Sequence, residues 1–303
     1  MADLSLTLGG IALPCPVLPA SGTFGLQHAR VFDIDRLGAL VPKTITPGAR
    51  TGHPAPRLAE AAGGILNAIG IPSDGVEAFI RDVLPLYKAH RPPVIVSVSA
   101  DTAAEFADMA ARFSGTDADG LELNLSCPNL EAGGRIFAAD PRDAEAVVAG
   151  CRAVTTKPLW CKLTPAATAP GAVAAACEAA GADALIAGNT MPAMVLDKNG
   201  APRVSNRTGG LSGPPLKPVG LRIVDDMAGR VAIPVIGCGG VMTLSDVRDY
   251  FAAGASAVAV GTGTLARPST MVRLIDGLAA EIDARGTTLA AFREALRVAA
   301  TGR

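Results

Sequence analysis

The chain has 303 residues, 49% of them hydrophobic and 18% charged, with a formal net charge of −1. That composition buries a large core and excludes a disordered chain, while the balanced charge, without a basic run or basic-aromatic interleaving, excludes nucleic acid as the main partner. The N-terminal stretch MADLSLTLGGIALPCPV lacks the plan of a signal peptide, and Gly, Pro or a charge interrupts every apolar run before the ~20 residues of a spanning helix, so a cytoplasmic protein without a membrane partner is expected.

In chain order, a short strand pair comes first, followed by the apolar runs Val17–Ala20, Ala39–Ile45 and Pro93–Ser99. A helical stretch, Thr102–Phe113, then places Ala103, Phe106, Met109 and Ala110 along one stripe. The run Gly120–Leu125 precedes a helix over Pro141–Val154, with Asp140 as N-cap and Pro141 in the first turn. Pro158–Leu163, Ala184–Gly188, Pro234–Gly237 and Ala257–Gly261 are the remaining strand candidates. Gly171–Ala180, Val219–Met227, Ser245–Ala253 and Met271–Ile282 are the helices that follow them. Most runs are continuous rather than alternating, as in parallel strands covered on both faces. Eight βα units of this kind predict a single-domain (β/α)8 barrel over residues 1–303, with the short N-terminal strand pair as an addition. An open doubly wound sheet is the alternative, but its G-x-G-x-x-G signature is absent.

Three Gly- and Pro-rich segments, Thr46–Pro72, Pro128–Asp140 and Met191–Pro218, follow strands. In a barrel they form long loops at the C-terminal face, where barrel enzymes place their active sites. The chemistry-bearing residues gather there too. The sequence NLSCPN at Asn124–Asn129 sets Cys127 between Asn124 and Asn129 at the end of the fourth strand. A lone cysteine is more often packing, but two asparagines offer donors and acceptors for a planar polar ring. Asn67 lies in a loop on the same face, and Asn189 with Thr190 ends the sixth strand. Lys43 ends the second strand and Lys162 the fifth. An ammonium within a strand pattern is costly to bury, so these lysines read either as snorkelling side chains at the rim or as cations set against developing negative charge. Gly237–Gly240 after the seventh strand and Gly261–Gly263 after the eighth match the usual phosphate site of barrels. The six cysteines show no C-x-x-C pair and no zinc spacing, so no metal site is expected; five of them read as small buried apolar residues.

At these positions the chain resembles the dihydroorotate dehydrogenases of class 1, and class 1B most closely, over nearly its whole length. The resemblance rests on PASGTFG at Pro19–Gly25, PRLAE and GILNAIG within Pro56–Gly70, NLSCPN at Asn124–Asn129, CKLTP at Cys161–Pro165, GGLSGP at Gly209–Pro214 and the Gly-Gly and Gly-Thr pairs that follow. It implies oxidation of dihydroorotate to orotate in pyrimidine biosynthesis, with one FMN per chain. Cys127 matches the base that takes the C5 proton while hydride passes from C6 to the flavin. Asn67, Asn124, Asn129 and Asn189 match the side chains that hold the pyrimidine, beside Thr190 and the stretch Ala68, Ile69, Gly70 and Ile71. Lys43 matches a lysine that touches both substrate and flavin, and Lys162 one beside the flavin N1 side. Ala20, Ser21, Gly22, Thr44, Ser97, Asn124, Gly188, Gly213, Gly239, Gly240, Gly261 and Thr262 match flavin contacts. Pro128–Asp140 matches a loop that closes over substrate.

Two positions depart from the class 1B pattern: Ser97 stands where an Asn is usual, and Ala100 where a Gly is usual. The resemblance further implies a homodimer of barrels. In class 1B this becomes a heterotetramer with an electron-transfer subunit whose FAD and 2Fe–2S cluster pass electrons to NAD⁺. Fumarate is the acceptor in class 1A. A related FMN barrel oxidoreductase acting on another dihydropyrimidine, and a non-catalytic flavin-binding subunit, are the competing readings.

Overall fold

The computed structural model describes residues 2–126, 128–129 and 135–302. In chain order its strands are β1 (Leu6–Leu8), β2 (Ile11–Leu13), β3 (Val17–Pro19), β4 (Leu58–Ala61), β5 (Gly64–Asn67), β6 (Ile95–Val98), β7 (Gly120–Asn124), β8 (Pro128–Asn129), β9 (Arg135–Ile136), β10 (Leu159–Leu163), β11 (Ala184–Ala187), β12 (Met191–Ala193), β13 (Gly209–Ser212), β14 (Val235–Cys238) and β15 (Ala257–Val260). Seven of these strands form one sheet in the order β3-β15-β14-β11-β10-β7-β6, with every pairing parallel.

The expected second strand closes the ring between β3 and β6. Gly38 N donates to Val17 O, Leu40 N to Pro93 O and Ile45 N to Ser97 O, each at 2.8 Å. This segment is bridged at Leu40–Val94 and Ile45–Val98 rather than paired continuously, because Pro42 in its middle has no N–H to give. The barrel is therefore eight-membered, with one member held at its two ends.

Helices follow the strands where the apolar periodicity places them. Ala103–Ser114 starts at Thr102, whose hydroxyl accepts from Glu105 N while the Glu105 carboxylate accepts from Thr102 N, a reciprocal cap. Pro141–Arg152 starts at Asp140, whose carboxylate accepts from Arg142 N. Pro170–Ala179, Lys217–Ala228, Leu244–Ala252 and Thr270–Arg285 match the other expectations within a few residues. Besides short 3-10 turns, the structure adds the broken helix Val76–Lys88, the short Thr262–Ala266, and Leu289–Thr301, which packs on Leu244–Ala252.

Alternation along the strands sorts the core into two layers. Val17, Leu40, Val96, Leu121, Leu123, Cys161, Leu163, Leu185 and Val258 face out to the helices. Leu18, Val41, Ile95, Trp160, Ile186, Ile236 and Ala257 face in, together with Leu8, Ile11 and Leu13 of the β1–β2 hairpin. That hairpin plugs the floor, at the N-terminal ends of the strands. Two residues further along the same inward rows the character changes: Val41 gives way to Lys43, Ile95 to Ser97, Trp160 to Lys162, Ile186 to Gly188 and Ile236 to Cys238. The barrel is thus apolar below and polar above.

Above the polar layer, two of the long Gly- and Pro-rich segments join. Parts of Thr46–Pro72 and Met191–Pro218 form a four-stranded antiparallel sheet in the order β12-β13-β5-β4. They are an ordered wall of the mouth rather than separate loops. Cys15, Cys151, Cys161 and Cys177 are buried free thiols, and Cys238 is a half-buried one. Among the described residues, no helix is long and apolar enough to cross a membrane and no cluster of acids, cysteines and histidines suits a metal ion.

Candidate active site at the barrel mouth

The polar layer is organised around Lys162, which is 4% exposed. Its ammonium donates to Ser21 Oγ at 2.9 Å and lies 3.8 Å from Glu122 Oε1. Glu122 accepts from Ser97 Oγ at 2.6 Å, and Ser97 Oγ lies 3.0 Å from Thr44 Oγ1. Ser97 has a single hydroxyl proton and gives it to Glu122, so Thr44 is the donor in the second bond. Ser97 is 0% exposed. Its hydroxyl is thus engaged by both Glu122 and Thr44. Cys238 borders the same pair, and burial pushes its thiol above the ordinary range, partly offset by the Lys162 charge.

Lys43 rises on the other side of the stretch Ala20–Gly22. A Cβ placed on Gly22 would lie 3.1 Å from Lys43 Cδ and 3.5 Å from Nζ, so the glycine makes room for the lysine stem. Ala20 N is bonded to Val260 O at 3.0 Å, which anchors this stretch to β15. Lys43 and Thr44 also line a cavity of about 240 Å³, together with Ser73, Asp74, Phe79, Asp82 and Tyr87 among others.

The asparagines lie on the strands either side of Lys162: Asn124 is its partner across the β7–β10 pairing, and Asn189 follows β11. Asn189 Nδ2 donates to Asn124 Oδ1 at 3.2 Å, and Thr190 N donates to Asn189 Oδ1 at 2.8 Å. Asn67 Nδ2 donates to Gly210 O at 2.9 Å. A Cβ on Gly210 would lie 1.9 Å from Thr190 Oγ1 and 3.3 Å from Asn67 Nδ2, which puts Thr190 and Asn67 against one strand. The stretch from Ala68 to Ile71 leaves β5 toward the mouth. Ala68 N donates to Arg57 O at 2.8 Å and Ile69 O accepts from His53 N at 3.0 Å. Ile71 holds a φ of 49°, an unusual conformation for a β-branched residue.

A second cluster lies at the ends of β14 and β15. Gly239 and Gly240 have φ of 133° and 67°. A Cβ on Gly240 would meet Gly213 O at 3.0 Å and Lys217 Cβ at 2.9 Å. Thr262 Oγ1 donates to Ser212 Oγ at 2.8 Å, and Gly261 lies against Ala20, whose Cβ would be 3.6 Å from an added Cβ. Gly188 is held tightly against Cys238 O. Tyr250, which the strand and glycine motifs gave no reason to single out, sets the shape of this cradle. Its hydroxyl donates to Gly239 O at 2.6 Å.

The fold thus brings Ser21, Gly22, Lys43, Thr44, Asn124, Lys162, Asn189 and Thr190 to one mouth, with Asn67 and Ala68–Ile71 on its wall and the glycine cradle at its side. Cys127 lies outside the described residues. The backbone of Asn129 pairs with Arg135 between β8 and β9, and its side chain lies outside the described residues. Glu122 escaped the motif reading although the same signal marks it as marks the lysines: a charge within an apolar strand, in LELN at Leu121–Asn124.

Comparison with known proteins gives the family. The family model for dihydroorotate dehydrogenase matches residues 3–282. The chain is 42% identical over 288 residues to the catalytic subunit of dihydroorotate dehydrogenase B (NAD(+)) of Geotalea uraniireducens, covering 94% of both chains. It is also 42% identical to the protein of the same name from Pelobacter propionicus, over 94% of this chain and 95% of that one. Among solved structures, DHODH from Eimeria tenella in complex with ferulenol shares the fold, with a TM-score of 0.74 at 24% identity over 94% of this chain and 85% of that one. The chain belongs to the dihydroorotate dehydrogenase family.

Proposed function

We propose that this chain oxidises dihydroorotate to orotate in pyrimidine biosynthesis, as the catalytic subunit of a class 1B enzyme. The observation that carries the reading is the polar upper layer of the barrel, where two lysines flank Ala20–Gly22 and a bonded asparagine pair stands on the strands beside Lys162. Such a mouth suits a flat, charged heterocycle stacked on a second ring.

The residues fit FMN. The cradle of Gly213, Gly239 and Gly240 has backbone where side chains would intrude, which suits a phosphate taken by N–H groups. Thr262 and Gly261 border it. Thr44, Ser21 and Lys162 offer donors to the polar edge of an isoalloxazine. When bound, FMN supplies a two-electron acceptor for hydride. The chain's own residues do the rest. Asn67, Asn124, Asn129 and Asn189 hold the pyrimidine by its amide and carbonyl edges, beside Thr190. Lys43 places positive charge where substrate and cofactor meet. Lys162 places its ammonium against the cofactor edge that becomes electron-rich. Cys127 removes the C5 proton.

The names of the relatives support a route for electrons to NAD⁺ through a second subunit, which carries FAD and a 2Fe–2S cluster in class 1B. A homodimer of barrels, joined by that subunit into a heterotetramer, is the assembly we propose, in the cytoplasm. Residues 1–303 act as one FMN-binding barrel domain.

Reconstituting the purified chain with FMN and an artificial electron-accepting dye tests the reading. Orotate, seen by its ultraviolet absorption, accumulates with dihydroorotate and not with dihydrouracil, which lacks the carboxylate. Equal turnover of the two would replace dihydroorotate with a broader dihydropyrimidine substrate.

A further inference from the structure

Among the described residues the buried carboxylates are Glu122 and Asp246. Asp246 stands outside the barrel, where it caps the helix Leu244–Ala252 and pairs with Lys217 at 2.5 Å. Glu122 stands inside, at the level of the mouth, and the chemistry proposed above gives it no task. A buried acid beside a buried base is a poor way to gain stability, since well-packed apolar residues of similar volume serve as well or better. Its surroundings point to a different role.

The pair is close without being closed. Glu122 Oε1 and Lys162 Nζ are 3.8 Å apart, with side chains 3% and 5% exposed. That distance is too long for a hydrogen bond. The carboxylate is held back by Ser97, which donates to the same oxygen at 2.6 Å and is itself backed by Thr44 at 3.0 Å. Ser97 gives its one proton to Glu122, which leaves Thr44 to donate to Ser97. The Lys162 ammonium has three protons and spends one on Ser21, so its remaining protons are not taken by the acid beside it. Ser97 and Glu122 are cross-strand partners on β6 and β7, so strand pairing fixes the arrangement. Ser97 also stands where the class 1B pattern has an asparagine, so this polar link is a feature of the present chain.

We propose that Glu122 is a positioning residue for the oxidation. It holds the Lys162 ammonium at the cofactor edge of the mouth and, through its charge, moderates how strongly that ammonium favours reduced over oxidised flavin. Ser97 sets the moderation by keeping the two charges apart. The proposal rests on the flavin reading above. An opposite charge 3.8 Å away in a dry site cancels much of the field of the ammonium. Removing the negative charge strengthens that field, and drawing the charges together weakens it.

The test is the midpoint potential of the bound flavin, measured by anaerobic spectroelectrochemistry on the FMN-loaded protein. Glu122→Gln keeps the shape and an acceptor for Ser97 but removes the charge. It is expected to favour reduced flavin about tenfold, a positive shift of about 30 mV for a two-electron couple. Ser97→Ala removes the restraint on the carboxylate, lets it close on Lys162, and shifts the potential the other way. Lys162→Met sets the negative limit. Opposite shifts in Glu122→Gln and Ser97→Ala support the proposal, because mere loosening of the site moves both in one direction. A potential unchanged in Glu122→Gln, or shifts of the same sign in both variants, overturns it. If Glu122→Gln does not fold, the negative shift in Ser97→Ala decides by itself, and no shift there overturns the proposal. A wild-type protein that takes up no FMN overturns the flavin reading instead, which separates the two failures.

Discussion

Asn189 Nδ2 donates to Asn124 Oδ1 at 3.2 Å, which ties the end of β11 to the end of β7 across β10. Each asparagine also serves its own backbone, through Thr190 N at 2.8 Å and Ser126 N at 3.4 Å. The pair is therefore set before any ligand arrives, and pre-set polar groups lose little on binding.

Replacing Asn124 or Asn189 with Ala is expected to raise KM for dihydroorotate about tenfold to a hundredfold, as for one or two lost hydrogen bonds of roughly 1–1.5 kcal/mol each. The double variant should cost less than the sum, because each single change already breaks the bond between them. Steady-state kinetics on the three variants checks both points; strict additivity contradicts a shared role.

Cys127→Ala is expected to slow reduction by dihydroorotate by about 10² to 10⁴, the usual scale for a lost general base, while FMN stays bound. A free thiol ionises near ~8.5, so turnover of the parent protein should rise from neutral toward alkaline pH. Rapid mixing across this range checks the slope, and a flat profile argues against the thiol.

Tyr250→Phe removes the 2.6 Å bond to Gly239 O and leaves a half-buried carbonyl short of a donor. A cost of about 1 kcal/mol should appear as roughly fivefold weaker FMN affinity, read by fluorescence titration of the apoprotein. Unchanged affinity removes Tyr250 from the account of the cradle.

Stability should fall in alkali. Burial pushes the Cys15 thiol up to about 11 and the Cys151 thiol up to about 12, from an ordinary 9.0, and lifts the Tyr87 phenol from 10.0 to about 12. Below the ordinary thiol value both states keep these protons and the contribution is complete. Above it the unfolded chain loses protons that the native state keeps, so unfolding becomes easier as pH rises. Tm should therefore decline between pH 9 and pH 11, the interval between the ordinary and native values of Cys15. A constant Tm there contradicts the burial of these thiols.

The barrel was legible because its parallel strands are mostly continuous apolar runs and most of them are followed by a helix of apolar period. Lys43 and Lys162 were legible for the opposite reason, as charges in rows that should be apolar. The antiparallel sheet β12-β13-β5-β4 was not, because Asn67 and Gly210, partners across it, are 143 positions apart and its strands are too Gly-rich to alternate. The helix Leu289–Thr301 follows the eighth unit, where the barrel pattern predicts nothing. Val76–Lys88 is interrupted by Pro85 and a π-helical turn over Phe79–Val83. The bond from Ser97 to Glu122 was not legible either, because only the β6–β7 register brings the two together.

We propose that this mouth holds FMN and takes hydride from dihydroorotate. Anaerobic mixing of the FMN-loaded chain with L-dihydroorotate, followed by its visible absorption, tests it most directly. Rapid loss of the flavin band is expected in the parent protein and slow loss in Cys127→Ala. A yellow protein whose colour is untouched by dihydroorotate would contradict it.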